Sequence, residues 1–290
     1  MIKRSKSSQV ADNSNEECLH YGYSRQDFMS SIEQERQIEF SRSIIEGVEI
    51  KLCRNNPHAY KSHVHNELSL GYILEGSTDL TLNDRMIHYG AGDGVVIPPL
   101  MTHRCAPNDV RHWAYVMLFV DPDYYSDVVT IRKAKKLAGN QTRKLIDFIE
   151  QLLIEKIPDT LENILIELLL ELEEKGVADT AAASTIDIVN TIHDYILNHG
   201  NEDITLDKLQ QMSGLNKFSI IRHFKKLYLT TPAAYHLQYK VAEAKSLLSK
   251  GADVFDICEE LRFYDQAHFI REFKKMYGVT PGTYIEQVKG

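Results

Sequence analysis

The stretch Ile257-Cys-Glu-Glu-Leu-Arg-Phe-Tyr-Asp-Gln-Ala-His-Phe-Ile-Arg-Glu-Phe-Lys-Lys-Met-Tyr-Gly-Val-Thr-Pro281 decides the fold of the last third of the chain. Phe269, Phe273 and Met276 recur at the spacing of one helix face, which makes them core residues of an amphipathic helix. Asp265 stands just ahead of that helix, where its carboxylate can accept from the free N–H groups of the first turn. Upstream, Asp253 is placed to cap a shorter helix, and Arg262-Phe263-Tyr264 is the turn between the two. Two short helices joined by a tight turn form a helix-turn-helix unit.

The unit occurs twice. Leu206–Tyr235 aligns with Phe255–Tyr284 at an offset of about 49 residues, with about ten of thirty positions identical, among them Arg222/Arg271, Phe224/Phe273 and Tyr235/Tyr284. In the first copy Thr205 caps a helix running to about Met212, Ser213-Gly214-Leu215 turns, and Asn216 caps the second helix. Ile220, Phe224 and Leu227 form the core face of that helix. Lys217, Phe218, Ile221, Arg222 and Lys225 are left for the outward side, as are Gln266, Ala267, Ile270, Arg271 and Lys274 in the second copy. On such a face Arg can bond a guanine edge at two points, Ile can meet a thymine methyl, and Lys can meet phosphate. One helix of this kind does not differ from an ordinary solvated helix. The same outward pattern in both copies points to sequence-specific DNA binding. Between the copies, Thr231 caps and Pro232 opens a helix to about Leu248. About 17 residues at 1.5 Å each give roughly 26 Å, a spacer that can hold two reading helices near one DNA turn, about 34 Å, apart.

On these residues the chain from about Ile186 to Gln287 resembles the DNA-binding domain of the AraC/XylS family of transcription regulators. The resemblance implies that Phe218, Ile221, Arg222, Gln266, Ala267, Ile270 and Arg271 occupy base-reading positions. Three residues depart from the family pattern: Arg262 stands where Gly is usual, Gln210 where Ala is usual, and Lys240 where Arg is usual. A side chain at the second turn is expected to sit at a strained φ. Gln210 is expected to put a polar group at a buried spot.

Working back toward the N-terminus, Gly176 to Ser184 consists of small residues and reads as a linker over 176–184. Before it, apolar residues recur at helical spacing from Thr142 to Lys156 and from Leu161 to Lys175. Leu161, Leu165, Leu168, Leu169 and Leu172 form a stripe that suits either packing on its own domain or a helix–helix dimer seam. From about Val48 to Val120 the chain is rich in β-formers punctuated by turn signals such as Glu75-Gly76 and Pro98-Pro99, the pattern of a small sandwich or barrel. Trp113, Tyr115 and Met117 alternate on a late strand and so share a face, as core or as the wall of a pocket.

His63-Val-His65-Asn-Glu67 precedes a strand, and His103 follows Pro98-Pro99. An H-x-H pair in extended chain aims both imidazoles to one side, a start for a metal site or for a polar pocket. With Gly76 and Gly90-x-Gly-Asp93 this arrangement resembles the cupin barrel of the same regulator family. Metal-binding cupins usually add a Glu several residues after the second His, near Leu70 or Gly71, and Glu67 comes too early. The expectation is therefore an effector pocket lined by His63, His65, Glu67 and His103, with no metal and no cofactor.

Net charge is −8, from 33 Lys and Arg against 41 Asp and Glu. From Thr185 onward acidic and basic residues balance, at about thirteen each, so the acidic excess lies in the first two thirds. A balanced domain can still bind DNA if its basic groups gather on one face. Four scattered cysteines fit a reducing compartment, and no apolar run is long enough for a membrane span. The polar start of the chain lacks an apolar signal core.

The expected protein is an α+β two-domain regulator. A disordered tail (1–30) precedes a cupin-like effector-sensing and dimerisation domain (31–175, helices from about 124). The linker leads to an all-α double helix-turn-helix DNA-binding domain (185–290). It is expected to be cytoplasmic, not an enzyme and not membrane-bound, to act as a homodimer on promoter DNA under a small-molecule effector, and to have RNA polymerase as a further candidate partner. The alternatives are a regulator whose barrel only dimerises, and a metal-dependent cupin enzyme with an appended DNA-binding module.

Overall fold

A computed structural model describes residues 37–55, 60–82, 85–126, 129–154, 158–173 and 185–289. The expected tail and linker lie outside the described residues. The N-terminal domain is built from β1 (Gln37–Arg42), β2 (Val48–Arg54), β3 (Leu68–Glu75), β4 (Ser77–Leu82), β5 (Arg85–Gly90), β6 (Gly94–Ile97), β7 (His103–Pro107), β8 (Ala114–Val120) and β9 (Lys135–Lys136). A six-stranded sheet, ordered β1-β2-β8-β3-β6-β9, faces a three-stranded one ordered β5-β4-β7. The pairings are antiparallel, as short connections between successive strands require.

The two-residue period of the strands divides the large sheet into two faces. Ile50 and Leu52 of β2, Leu68 and Leu70 of β3, and Val116 and Leu118 of β8 join one core with Phe148, Leu165 and Leu169. The latter belong to α2 (Gly139–Ile154) and α3 (Pro158–Leu172), which follow the one-turn helix α1 (Pro122–Tyr125). All five leucines of the α3 stripe are buried in that core. The stripe therefore serves its own domain, and those side chains are not available as a dimer seam. Burial of each contributes about 1.5–3 kcal/mol, enough to fix the helix pair on the sheet. The opposite face of β2, β3 and β8 looks into the barrel.

The C-terminal domain comprises α4 (Thr185–Asn198), α5 (Leu206–Ser213), α6 (Lys217–Tyr228), α7 (Pro232–Ser249), α8 (Val254–Glu260), α9 (Gln266–Tyr277) and α10 (Pro281–Lys289). The cap residues act as the sequence predicts. Thr205 accepts from Lys208 N, Asn216 from Ser219 N, Thr231 from Ala234 N, Asp253 from Phe255 N and Asp265 from His268 N. Ile220, Phe224, Phe269, Phe273 and Met276 are buried, while Leu227 is half-buried. The two turns differ. The first uses Gly214 at φ 70°, whereas the second is two residues longer and places Arg262 at φ 51°. Lys240, buried on α7, donates to the Arg262 carbonyl at 3.5 Å, so two of the three family departures meet at one point. The third is corrected, because Gln210 is exposed rather than buried.

Strand β1 has no counterpart in the sequence reading, which starts the β region at Val48. It forms because Ile38 and Phe40 find a core in the other domain. Both are buried with Phe119, Phe273, Tyr277 and Tyr284. Gln287 of α10 completes the contact, donating to Ile38 O at 3.1 Å and accepting from Phe40 N at 3.3 Å. The two domains are thus packed through a shared apolar core.

Candidate functional site

Two sites follow from this architecture: the outward faces of α6 and α9, and the interior of the barrel. On α6, Phe218, Arg222 and Lys225 are exposed, with Phe218 at 87%, and Ile221 and Lys217 are half-buried. On α9, Gln266, Ala267, Ile270, Arg271 and Lys274 are all exposed. Phe218 and Ile270 are large apolar groups exposed on these faces. Lys217 is tied back to Asp207 of α5 at 2.5 Å, which leaves it less free than the others. The sequence reading missed two exposed aromatics of the second unit, Tyr264 (91% exposed) in the turn and Phe255 (60%) on α8.

The barrel interior holds a cavity of about 50 Å³. Its lining includes His63, His65 and His103, as the sequence predicts, and also Lys51, Ser69 and Thr78. Trp113, Tyr115 and Met117 wall it. One probe-sized water needs about 10–15 Å³, so a few such groups fill the space. Glu67, predicted as a fourth lining residue, is turned elsewhere: it is not part of the wall and pairs with Lys245 at 2.6 Å. His88 and His112 are exposed and bound to Asp79 and Asp109.

The three imidazoles form a tight buried cluster, with ring centroids 4.3 to 5.1 Å apart. His63 lies in a short bridge to His103 at the start of β7, and their backbones exchange hydrogen bonds of 3.0 Å, which brings the distant histidine to the pair. The side-chain Nδ1 atoms of His63 and His103 lie 2.7 and 2.9 Å from the carbonyls of Lys61 and Met101. A carbonyl can only accept, so Nδ1 carries the proton and Nε2 the lone pair in both rings. Burial pushes His103 down to about 4. Burial, with His63, His103 and Lys51 adding to it, holds His65 well below the usual histidine range. Near pH 7 His65 and His103 are therefore neutral. One ligand atom from each ring lies within 4.8 Å of the others, so these three could hold a metal ion.

Lys51 is a fully buried cation at the cavity, and burial pushes it down to about 8. Its ammonium donates to Tyr60 Oη at 3.2 Å and lies over the rings of Tyr60, Phe40 and Tyr115. Two residues earlier on the same strand face, Glu49 leaves the barrel. Its carboxylate and that of Glu67 hold Lys245 of α7 at 2.7 and 2.6 Å, and Tyr284 of α10 donates to Glu49 at 2.6 Å. Burial opposes the charge on Lys245, but Glu49 and Glu67 outweigh it and keep the ammonium well above its usual range. Around this ionic centre Tyr235 donates to Leu100 O, Gln238 to Ser62 O and Asn66 to Glu243, each at 2.8 or 2.9 Å.

The sequence reading missed Glu49, Lys51 and Lys245. The signal lay in the alternation Glu49-Ile-Lys51-Leu-Cys53, which sets charge at every second position of an apolar strand. That pattern marks a solvated face until tertiary structure covers it.

Comparison with known proteins accounts for both domains. A family model for an AraC-like ligand binding domain matches residues 49–186, and one for a helix-turn-helix domain matches 209–287. The HTH-type transcriptional regulator YbfI of Bacillus subtilis (strain 168) is 26% identical over 229 residues, covering 72% of this chain and 81% of YbfI. YdeC of the same organism, also an HTH-type transcriptional regulator, is 25% identical over 233 residues, 71% of this chain and 79% of its own. Unsaturated fatty acid-bound ToxT from Vibrio cholerae strain SCE256 superposes with a TM-score of 0.53 at 12% identity, over 89% of this chain and 98% of ToxT. That likeness concerns the two-domain fold. With a ligand-binding barrel and a double helix-turn-helix in this order, the chain belongs to the AraC family of DNA-binding transcription regulators.

Proposed function

We propose that the barrel senses a small molecule and that its occupancy sets how the C-terminal domain engages promoter DNA. The observation that carries this is the double use of β2. Lys51 lines the cavity, and Glu49, on the same strand face, holds Lys245 of the DNA-binding domain. A ligand that moves this strand face by a fraction of an ångström acts directly on the ion pair between the domains. A ligand shifts such an equilibrium only by its differential affinity for the two arrangements, so the contact must differ between them.

Arg222 and Arg271 are the base-reading groups, supported by Phe218, Ile221, Gln266, Ala267 and Ile270, while Lys217, Lys225 and Lys274 meet phosphate. The protein acts in the cytoplasm as a homodimer, with no catalytic role, and RNA polymerase is the partner through which a bound regulator would act. A small cavity walled by aromatics favours a compact effector over a long-chain one; the fatty acid is ToxT's ligand, and about 50 Å³ does not take it without opening the barrel.

The test is selection of bound sequences from random DNA, then titration of the selected site at fixed salt with wild type and Arg222→Ala. Loss of discrimination at a few neighbouring base pairs is expected. Unchanged discrimination would remove α6 from the groove. A metabolite panel read by thermal shift and by operator affinity tests the barrel: a compound that moves both is expected, and ligand-indifferent operator binding would favour a barrel that only dimerises.

A further inference from the structure

We propose that His63, His65 and His103 bind one divalent transition-metal ion and that Lys51 recruits a small carboxylate as its remaining ligand. This rests on the barrel being the effector pocket, and it names the chemistry of that pocket.

Three imidazoles are a complete protein ligand set for an open tetrahedral site of the kind Zn²⁺ occupies. Here they are buried, their candidate ligand atoms lie within 4.8 Å of one another, and the carbonyls of Lys61 and Met101 fix the tautomer of two of them. Such an outer carbonyl contact orients a metal-binding histidine and raises its basicity. Two nitrogens at about 2.1 Å from one ion stand roughly 3.4 Å apart, so ligand atoms now up to 4.8 Å apart need to close by at most about 1.4 Å, within reach of small side-chain rotations.

The charges decide what else must enter. Most such sites balance the ion with a carboxylate of the chain. Both carboxylates near this one, Glu49 and Glu67, are engaged with Lys245. What the chain adds instead is a second cation, Lys51, which has no carboxylate within ion-pair distance among the described residues. A divalent ion beside a buried ammonium is strongly unfavourable unless an anion comes with it. The carboxylate that the chain withholds is thus supplied by the ligand. Ser69 Oγ, Thr78 Oγ1 and Tyr89 Oη line the same cavity, are buried and have no hydrogen-bond partner among the described residues, so each can donate to it. Ile73, Leu80, Val95 and Ile97 give the wall its apolar part. About 50 Å³ leaves room for an acid of the size of propionate.

The test uses full-length protein purified without an affinity tag, stripped by chelation and titrated with Co²⁺, followed by its visible spectrum. One equivalent is expected, with the intense bands of tetrahedral coordination, and they should be absent in His65→Ala and in His103→Gln. Thermal melting and DNA binding show whether each variant is folded; two variants guard against one failing. Propionate is expected to change the spectrum and tighten Co²⁺ binding by about tenfold, a typical coupling between linked sites. Lys51→Met should keep the Co²⁺ bands and lose the propionate effect. The absence of stoichiometric Co²⁺ binding, or its survival in both histidine variants, overturns the metal site. A propionate effect unchanged in Lys51→Met overturns the role of Lys51. If Co²⁺ and propionate bind as described and operator affinity does not move, the site stands and effector control falls. If Co²⁺ fails while another compound moves operator affinity, the reverse holds.

Discussion

Lys51 and Lys245 are both buried lysines, and both ammonium groups lie over the ring of Phe40, at 5.3 and 5.9 Å from its centroid. Their treatment is opposite. Lys245 is met by two carboxylates at 2.6 and 2.7 Å and is held well above its usual range. Lys51 is met by a phenol and aromatic faces and is pushed down to about 8. The difference teaches what each is for. A buried charge with its counter-ions in place is a joint, and this one fastens α7 to the barrel. A buried charge whose counter-ion the described chain does not provide costs stability, and it is kept where a ligand can supply the missing charge.

The sharpest way to break this comparison is Lys245→Met. It should cost about 3–5 kcal/mol in chemical denaturation, because Glu49 and Glu67 stay buried without their cation. Adding Glu49→Gln and Glu67→Gln should restore most of the loss. A single-variant cost under about 1 kcal/mol would mean that the centre is solvated.

The two lysines should also respond to pH with opposite sign. Lys51 falls from 10.5 to about 8 on folding, so the unfolded chain binds more protons between those values and this group makes stability rise with pH there. At pH 7 Lys51→Met should be the more stable protein, by up to about 3 kcal/mol, and should lose that rise. Lys245 is raised on folding, so its contribution is complete below the unfolded value of 10.5 and lost as pH climbs through the folded one. His103, lowered from 6.5 to about 4, makes stability fall as pH drops across that window; His103→Gln should flatten that part of the curve in urea titrations at pH 4 to 7.

The exposed cations of α6 and α9 give a third case, for which we propose DNA as the partner. Arg222→Ala and Arg271→Ala should each lower discrimination at the selected site by about 1–3 kcal/mol. Lys225→Ala and Lys274→Ala should instead weaken all sequences alike and reduce the salt slope by about 1. The smallest effect is local. Arg262 sits at φ 51°, and Arg262→Gly should raise stability by about 1 kcal/mol, visible as a shift in the denaturation midpoint. Gly214→Ala, at φ 70° in the other turn, should lower it by a similar amount.

Local patterns made much of this molecule legible. Thr205, Asn216, Thr231, Asp253 and Asp265 cap where they were predicted to, because a cap is an interaction over three residues. The reading faces were legible because helical periodicity assigns a direction to each side chain once the core face is known. The three histidines were legible as candidates through the H-x-H spacing. Glu67 was misplaced for a physical reason: a carboxylate beside two histidines is as well suited to a pocket as to an ion pair, and its partner, Lys245, lies 178 residues away. Strand β1 was missed because its apolar residues, Ile38 and Phe40, answer to a core formed by another domain.

The sequence by itself determined the two domains, the tandem helix-turn-helix and the side chains on the outward faces of its second helices. These follow from periodicity, capping and an internal repeat, all of which act between near neighbours. Only the tertiary structure decided that the leucine stripe of α3 is spent within its own domain, that the cavity is small, and that Glu49, Glu67 and Lys245 join the domains while Lys51 meets no carboxylate among the described residues. The energy of a buried charge is set by what surrounds it from every direction, and spacing along the chain does not encode that.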